Sequence, residues 1–359
     1  MDKRRLEEIL GKFPRVKIAV IGDFFLDRYF VIDSDIAEIS IETGRTAHQV
    51  VAKRLSPGAA GTVVSNLMAL GVGQVKCLGV IGVDGEGFEL AKALDAIGAD
   101  STPLIGCQTR VTPCYTKPML TRDGAETELD RIDIKNRSPL AAELEQELIR
   151  RLECALPEVD AVIIADQVQE RNFGAVTDNV REAIRELGGC NPERVFFVDS
   201  RVRIGEFRNV IIKPNMFESV IAAGAEVLGD SAMIDMPDKP GFEGPTFTLE
   251  QAKRCAGALR KRTGRPVFMT AEKEGIFIFD EETSHVHALV VDGEIDPVGA
   301  GDSCTAGIVS ALCGGATLEE AALLGNIVAS ITVRKIGQTG TASPEEVVAC
   351  FTEHIEGVM

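Results

Sequence analysis

The chain has 359 residues, 45% of them hydrophobic and 26% charged, enough apolar material for a large core and unlike a disordered or collagen-like composition. Acidic residues outnumber basic ones by 55 to 38, and the formal net charge of −17 argues against a nucleic-acid surface, which needs a basic patch or stripe. A phosphorylated metabolite stays possible, because a few local donors suffice to hold one.

The first 14 residues are charged and lack the apolar core of a signal peptide. A buried strand is expected at 17–21, then a stretch at 24–53 rich in Thr, Tyr, Val and Ile without a good helix. A helix at 62–70, a strand at 75–81 and a helix at 87–97 come next, before a second helix-poor stretch at 108–133. Ser138-Pro139 offers a capping hydroxyl and a helix-opening proline for a helix at 140–155. Strands at 161–165, 195–198, 210–212 and 267–270 then alternate with helices at 173–187 and 249–263. His285 and His287 lie two apart on a strand and share a face, which reads as a solvent-facing pair rather than a metal site. Helices at 302–313, 318–333 and 344–354 close the chain, with capping-box spacing at Thr317/Glu320 and Ser343/Glu346.

Strands without polar alternation, separated by amphipathic helices, imply an α/β fold: a mostly parallel sheet covered on both faces. The two helix-poor stretches read as antiparallel strands forming a small β-sheet lid. Length alone suggests about two domains, but one domain over 1–359 with two lid insertions fits the pattern better. No apolar run approaches the roughly 20 residues of a membrane span. Nine scattered cysteines without C-x-x-C spacing suit reduced thiols, so a soluble cytoplasmic protein is expected.

The sharpest local feature is Gly299-Ala300-Gly301-Asp302, directly before a helix. Glycines admit a ligand close to the backbone, and the first helical N–H groups point outward with the dipole behind them, so the turn is an anion site. Asp302 there would repel a phosphate unless it faces a hydroxyl to be deprotonated. An ordinary helix N-cap also accounts for Gly-Asp at this place. Asp23 and Asp27 leave the first strand, where they either form a turn or accept hydrogen bonds from ligand hydroxyls. Asp166 and Asp199 end apolar strands, at the edge that lines the ligand crevice of open α/β sheets, or simply cap the next segment of chain. Arg201 and Lys213 are nearby cations for phosphate, or merely solvated.

DPVGAGDS before a small-residue helix resembles the C-terminal signature of the PfkB, or ribokinase-like, carbohydrate kinases. IGDFFLD resembles the family's N-terminal substrate segment, and Pro57-Gly58-Ala59-Ala60-Gly61-Thr62 its glycine-rich sugar-binding turn. Lys213-Pro214-Asn215-Met216-Phe217-Glu218 resembles the N-x-x-E motif, and Thr270-Ala271-Glu272-Lys273-Glu274-Gly275 the strand-end nucleotide segment. GDFFLDRYF, ISIE at 39–42, RLSPGAAG, ELDRID and LEEAALLGNIVAS extend the likeness to heptose-7-phosphate kinase domains. One departure stands out: the family turn carries two adjacent glycines and an asparagine where this chain has Gly58-Ala59 and Thr62.

The resemblance implies a ribokinase-like fold and transfer of the ATP γ-phosphate to a sugar hydroxyl. Asp302 would be the base and the amides of Gly299, Ala300 and Gly301 the phosphoryl cradle. Asp23, Asp27, Gly58, Ala59, Thr62 and Asp166 would meet the sugar. Asn215, Thr270, Glu272, Gly275 and Asn326 would form the nucleotide pocket, with Asn215 and Glu218 orienting Mg2+ through water. A K+ site near Asp296 and residues 334–337, and a homodimer through the lid, are further implications. The chain ends at Met359 after a kinase-like helix, so no nucleotidyltransferase domain is expected. A ketohexose, pentose or 2-keto-3-deoxygluconate acceptor is the competing kinase reading. A non-catalytic sugar or nucleotide sensor is the competing class.

Overall fold

The computed structural model describes residues 1–122, 125–229, 247–337 and 339–354; the expected boundary at Met359 lies outside them. The strands are β1 (Lys17–Gly22), β2 (Phe24–Ile39), β3 (Thr46–Ala59), β4 (Gln74–Leu78), β5 (Val80–Gly82), β6 (Ile105–Cys107), β7 (Cys114–Arg122), β8 (Ala125–Glu128), β9 (Ile132–Ile134), β10 (Ala161–Asp166), β11 (Val195–Ser200), β12 (Ile211–Ile212), β13 (Val267–Thr270), β14 (Ile276–Phe279) and β15 (Thr283–Val286). The helices are α1 (Lys3–Leu10), α2 (Ala60–Ala69), α3 (Gly85–Ala96), α4 (Ala142–Ala155), α5 (Asp178–Cys190), α6 (Met216–Leu228), α7 (Leu249–Thr263), α8 (Ala300–Cys313), α9 (Leu318–Thr332) and α10 (Pro344–His354).

The main sheet runs β15-β14-β13-β12-β11-β10-β1-β4. It is parallel from β4 to β13, and β14 and β15 add an antiparallel edge. Its strands are apolar on both faces because both faces are covered. Ile18 and Val20 of β1 pack with Val64 of α2, Ile308 of α8 and Ile327 of α9 in one core. Ala19 and Ile21 point the other way, into a core with Leu148 of α4, Ile184 of α5 and Leu259 of α7. The parallel strands all deliver their carboxyl ends to one edge, and the site assembles there.

The lid is a second sheet, ordered β3-β2-β7-β8 with β9 on β7. It departs from the all-antiparallel expectation: β2 and β3 form a long antiparallel ribbon, but β7 joins β2 in parallel. The reason is connectivity, since β7 enters the lid from the main layer rather than by a hairpin from β2.

Three helix expectations also change. The charged N-terminus forms α1, capped by Asp2 and burying Leu6, Ile9 and Leu10. The helix expected at 140–155 begins at Ala142 with no side-chain cap, so the Ser138 hydroxyl is not its N-cap. α5 starts five residues after Phe173, where the Thr177 hydroxyl accepts from Val180 N–H and the preceding segment is loop. Both capping boxes in the C-terminal region form, Thr317 with Glu320 and Ser343 with Glu346. His285 and His287 do share a face, their ring centroids 4.1 Å apart, with His285 stacked on Phe277. Among the described residues no three His, Cys, Asp or Glu side chains form a metal-binding group. Among them, too, no helix is long and apolar enough to cross a membrane.

Candidate active site

Gly299 is the N-cap of α8, with φ 79°, and no side chain satisfies the helix's first N–H groups. A Cβ here would also meet Thr339 and Thr62 methyls at 3.0 and 3.3 Å, so glycine is required twice over. Against expectation the Ala300 N–H is already donated, to Pro297 O at 3.1 Å, so the donors left in the first turn at the positive end of the dipole are the N–H groups of Gly301 and Asp302. A turn of this geometry suits an anion.

Asp302, half-buried in that first turn, has its pKa pushed up to about 7, first by burial and then by the charge of Asp199, with Asp27 adding and Lys213 and Arg201 opposing. Lys213 lies beneath the turn, with Nζ 2.9 Å from Asp199 Oδ2 and side-chain exposures of 5% and 12%. That corrects the solvated reading of Lys213. Burial pulls its pKa down, but Asp199, Cys304 and Glu218 together outweigh this and the net shift is upward. Thr305 Oγ1 of α8 donates to the same Asp199 oxygen at 3.3 Å. Asp199 thus holds a buried ammonium under the cradle, where a Cβ on Gly301 would sit 3.6 Å from Nζ.

Asn215 and Glu218 form a capping box at the start of α6: Glu218 N–H donates to Asn215 Oδ1 and Asn215 N–H to Glu218 Oε2, both at 2.8 Å. The bland reading of a helix-start asparagine is thus realised, but its glutamate is not simply solvated. Burial, then Asp199, raises the Glu218 pKa to about 7. Burial first and the charge of Asp199 second raise both Glu218 and Asp302, with Lys213 and Arg201 opposing in each case. Asp199 is taken by Lys213, but neither Glu218 nor Asp302 has an ion-pair partner among the described residues, and a hydrated divalent cation would suit these two carboxylates.

The nucleotide-segment residues are contiguous with this group. Thr270 bridges to Asn215 in parallel register and its N–H donates to Pro214 O at 3.0 Å. Gly275 approaches residues 286–288, where a Cβ would lie 2.2 Å from Val286 O. Asn326 Nδ2 donates to Val286 and His287 carbonyls at 3.1 and 3.0 Å, so its amide shapes the wall. Glu272 opens the 3-10 turn between Thr270 and Gly275 with φ 46°. Asp296 ties two loops, accepting from Val298 N–H at 3.0 Å and Gly337 N–H at 3.3 Å.

On the sugar side the picture is mixed. Asp27 lies against Gly58, where a Cβ would fall 2.6 Å from its Oδ2, and burial raises its pKa to about 6. Ala59 adopts φ 54°, ψ −117°, a backbone state that suits glycine, in the turn where the resemblance expects one. Asp23 accepts from the N–H groups of Gln167, Val168 and Ala175 at 2.7–2.9 Å and organises the 167–175 loop. Two expectations fail. Thr62 is 3% exposed and its hydroxyl donates to Pro57 O at 3.4 Å, because its Oγ1 bends back within the turn. Asp166 is 1% exposed and enclosed by Ser200 Oγ at 2.6 Å and Arg203 Nη2 at 3.0 Å. Neither presents a free polar atom to the cleft.

Sequence reasoning missed a cavity of about 130 Å³ at the root of the lid, lined by Asp23, Arg110, Tyr115, Arg131, Lys135 and Arg201 among others. Asp23 and Arg201, each singled out as a strand-end residue, and Arg131 in ELDRID are the signals for it, but nothing in the sequence joins them. The remaining lining cations come from segments that only the fold brings together.

The sequence pattern of the pfkB family carbohydrate kinases matches residues 17–346. A relative from Trichlorobacter lovleyi, named bifunctional protein HldE, is 29% identical over 99% of this chain, which spans 67% of that relative's length. Ribokinase from Arabidopsis thaliana, solved with ribose and ATP, superposes with a TM-score of 0.64 at 16% identity, over 93% of this chain and 98% of its own. Phosphofructokinase-2 from Escherichia coli, solved with potassium, superposes with a TM-score of 0.67 at 15% identity, over 94% and 98%. The cradle, the capped N-x-x-E turn and the ribokinase-like sheet thus have one common explanation: this chain belongs to the pfkB family of carbohydrate kinases and is an ATP-dependent sugar kinase.

Proposed function

We propose that the acceptor is D-glycero-D-manno-heptose 7-phosphate and that Asp302 deprotonates the hydroxyl that is phosphorylated. The observation that carries the reaction is Asp302 in the first turn of α8, with a pKa of about 7 that suits a base near neutral pH. The heptose assignment is supported by the strings shared beyond the family motifs and by the HldE relative.

In this reading the acceptor oxygen attacks the γ-phosphorus in line as its proton passes to Asp302, and the bond to the β–γ bridging oxygen breaks, leaving ADP. Gly301 and Asp302 N–H groups hold the transferring phosphoryl oxygens, a contribution of roughly 10²–10³ in rate per donor. Lys213 supplies fixed positive charge beneath it, and its pairing with Asp199 keeps it charged. Glu218 and Asn215 would orient Mg2+ through bound water. When bound, Mg2+ neutralises charge on the nucleotide phosphates. Asn326 and Gly275 shape the nucleotide wall, while Asp27 faces the sugar. Asp296 beside residues 333–337 is the place for K+.

The lid excludes water that would otherwise hydrolyse ATP. One of its edges is the long strand β3, and Ile39 and Ile41 are exposed at the ribbon tip, which supports a homodimer through the lid. Light scattering at micromolar concentration tests this, with a monomeric mass opposing it.

The test of the acceptor is ADP release across a panel of heptose 7-phosphate, fructose, ribose and 2-keto-3-deoxygluconate. The heptose phosphate should give the highest kcat/KM. A higher value for another member reassigns the acceptor. ATP-dependent thermal shifts without ADP under any condition would make the protein a sensor.

A further inference from the structure

The lid-root cavity brings four cations, Arg110, Arg131, Lys135 and Arg201, against two carboxylates, Asp23 and Glu170. That local excess stands in a chain of net charge −17, so it is not the average character of the surface. Four cations against two carboxylates leave the lining net positive. Asp23 is turned to three backbone N–H groups, and burial and Asp166 raise its pKa to about 6. Arg131 alone is paired, in a fork to Asp133 at 2.7 and 2.9 Å. Arg110 donates only to carbonyls, those of Ser138, Pro139 and Phe173, and burial lowers its pKa. Lys135 Nζ lies 5.6 Å from the Tyr115 ring centroid, and among the described residues neither it nor Arg201 has an ion-pair partner. Gln167, Gln169 and Asn136 add neutral polar groups.

The cavity adjoins the transfer site. Arg201 lines it only two residues beyond Asp199, whose Oδ2 would lie 4.0 Å from a Cβ on Gly301 of the α8 turn. An acceptor anchored here by one end can place a hydroxyl at the other end near Asp302. Two unpaired cations plus a partly desolvated guanidinium exceed what a single carboxylate would match, and they suit a dianion.

We propose that the lid-root cavity binds a phosphate already carried by the acceptor, through Lys135, Arg201 and Arg110, and so selects sugar phosphates over free sugars. This rests on the sugar-kinase reading, but it does not depend on the acceptor being a heptose.

The test compares wild type with Lys135→Met and Lys135→Arg. ADP release is followed with heptose 7-phosphate, fructose 6-phosphate and ribose 5-phosphate, and with the unphosphorylated fructose and ribose. Calorimetric titration with inorganic phosphate, in a saturating non-hydrolysable ATP analogue whose γ-phosphate fills the α8 cradle, reads the cavity without turnover. Loss of one charge-assisted contact should raise KM for the phosphorylated acceptor roughly 10- to 100-fold, with KM for ATP held within about twofold. Lys135→Arg should restore most of it, and Lys135→Met should abolish inorganic phosphate binding. If heptose 7-phosphate is inert while another sugar phosphate shows this KM split, the heptose assignment fails and the cavity assignment stands. Turnover confined to unphosphorylated or carboxylated acceptors, or phosphate titrating wild type and Lys135→Met alike, overturns the cavity assignment and leaves the kinase class intact.

Discussion

Replacing Asp302 by Asn should make the protein more stable and nearly inactive. The carboxyl pKa rises from 3.8 to about 7 on folding, chiefly through burial and the charge of Asp199. The folded state therefore holds the proton more tightly than the unfolded chain, and stability declines as pH rises between those two values. Above about pH 7 the whole penalty is present, with a ceiling of about 4 kcal/mol at about 1.4 kcal/mol per pH unit. Solvent reaches the half-buried carboxylate and screens part of this, so we expect a gain of about 1–3 kcal/mol at about pH 8. The gain should shrink as pH falls towards 3.8, where wild type is protonated as well. Chemical denaturation at two pH values reads this directly, and the loss of a general base should lower kcat roughly 10²–10⁴-fold. A variant that turns over like wild type, or that is less stable than wild type at about pH 8, refutes the reasoning.

Wild-type kcat should climb as pH rises through about 7 and then level off, because the base works deprotonated; a profile flat from pH 5 to 9 contradicts it. Asp166→Ala leaves Arg203 buried and unpaired, and thermal or denaturant unfolding should show a loss of about 3–5 kcal/mol. Asn215→Ser keeps a good N-cap, so stability should change by no more than about 0.5 kcal/mol while the Mg2+ concentration for half-maximal rate increases; parallel loss of both would reduce Asn215 to a cap. Ala59→Gly relieves a glycine-like backbone state and should stabilise by about 1–2 kcal/mol, measured by denaturant midpoint.

What was legible in the sequence is what is local. The run Asp296-Pro297-Val298-Gly299-Ala300-Gly301-Asp302 states the turn, the cap and the acid in contiguous residues. The N-x-x-E spacing suits a capping box as well as the proposed ligand pair, and the structure has the cap, with burial raising the pKa of its glutamate. Apolar strands between helices announced the parallel sheet, since burial on both faces leaves no polar alternation. What stayed hidden depends on partners far along the chain. Asp166 looks like any strand-end acid until Arg203 and Ser200 fold over it. Thr62 has the right place for a sugar ligand, but its hydroxyl is claimed five residues back by Pro57. Lys213 reads as a surface cation until Asp199 buries it. The lid-root cations sit at 110, 131, 135 and 201, and no spacing rule links four such positions. The parallel β2–β7 pair was equally invisible, because strand direction is set by the path between elements and not by their composition.

Phosphorus NMR of one reaction mixture tests the central claim most directly. With ATP, Mg2+ and D-glycero-D-manno-heptose 7-phosphate, the account predicts a second phosphoryl resonance on the sugar, appearing in equal amount with ADP and absent with Asp302→Asn. ADP accompanied only by inorganic phosphate, with the sugar unchanged, would contradict it.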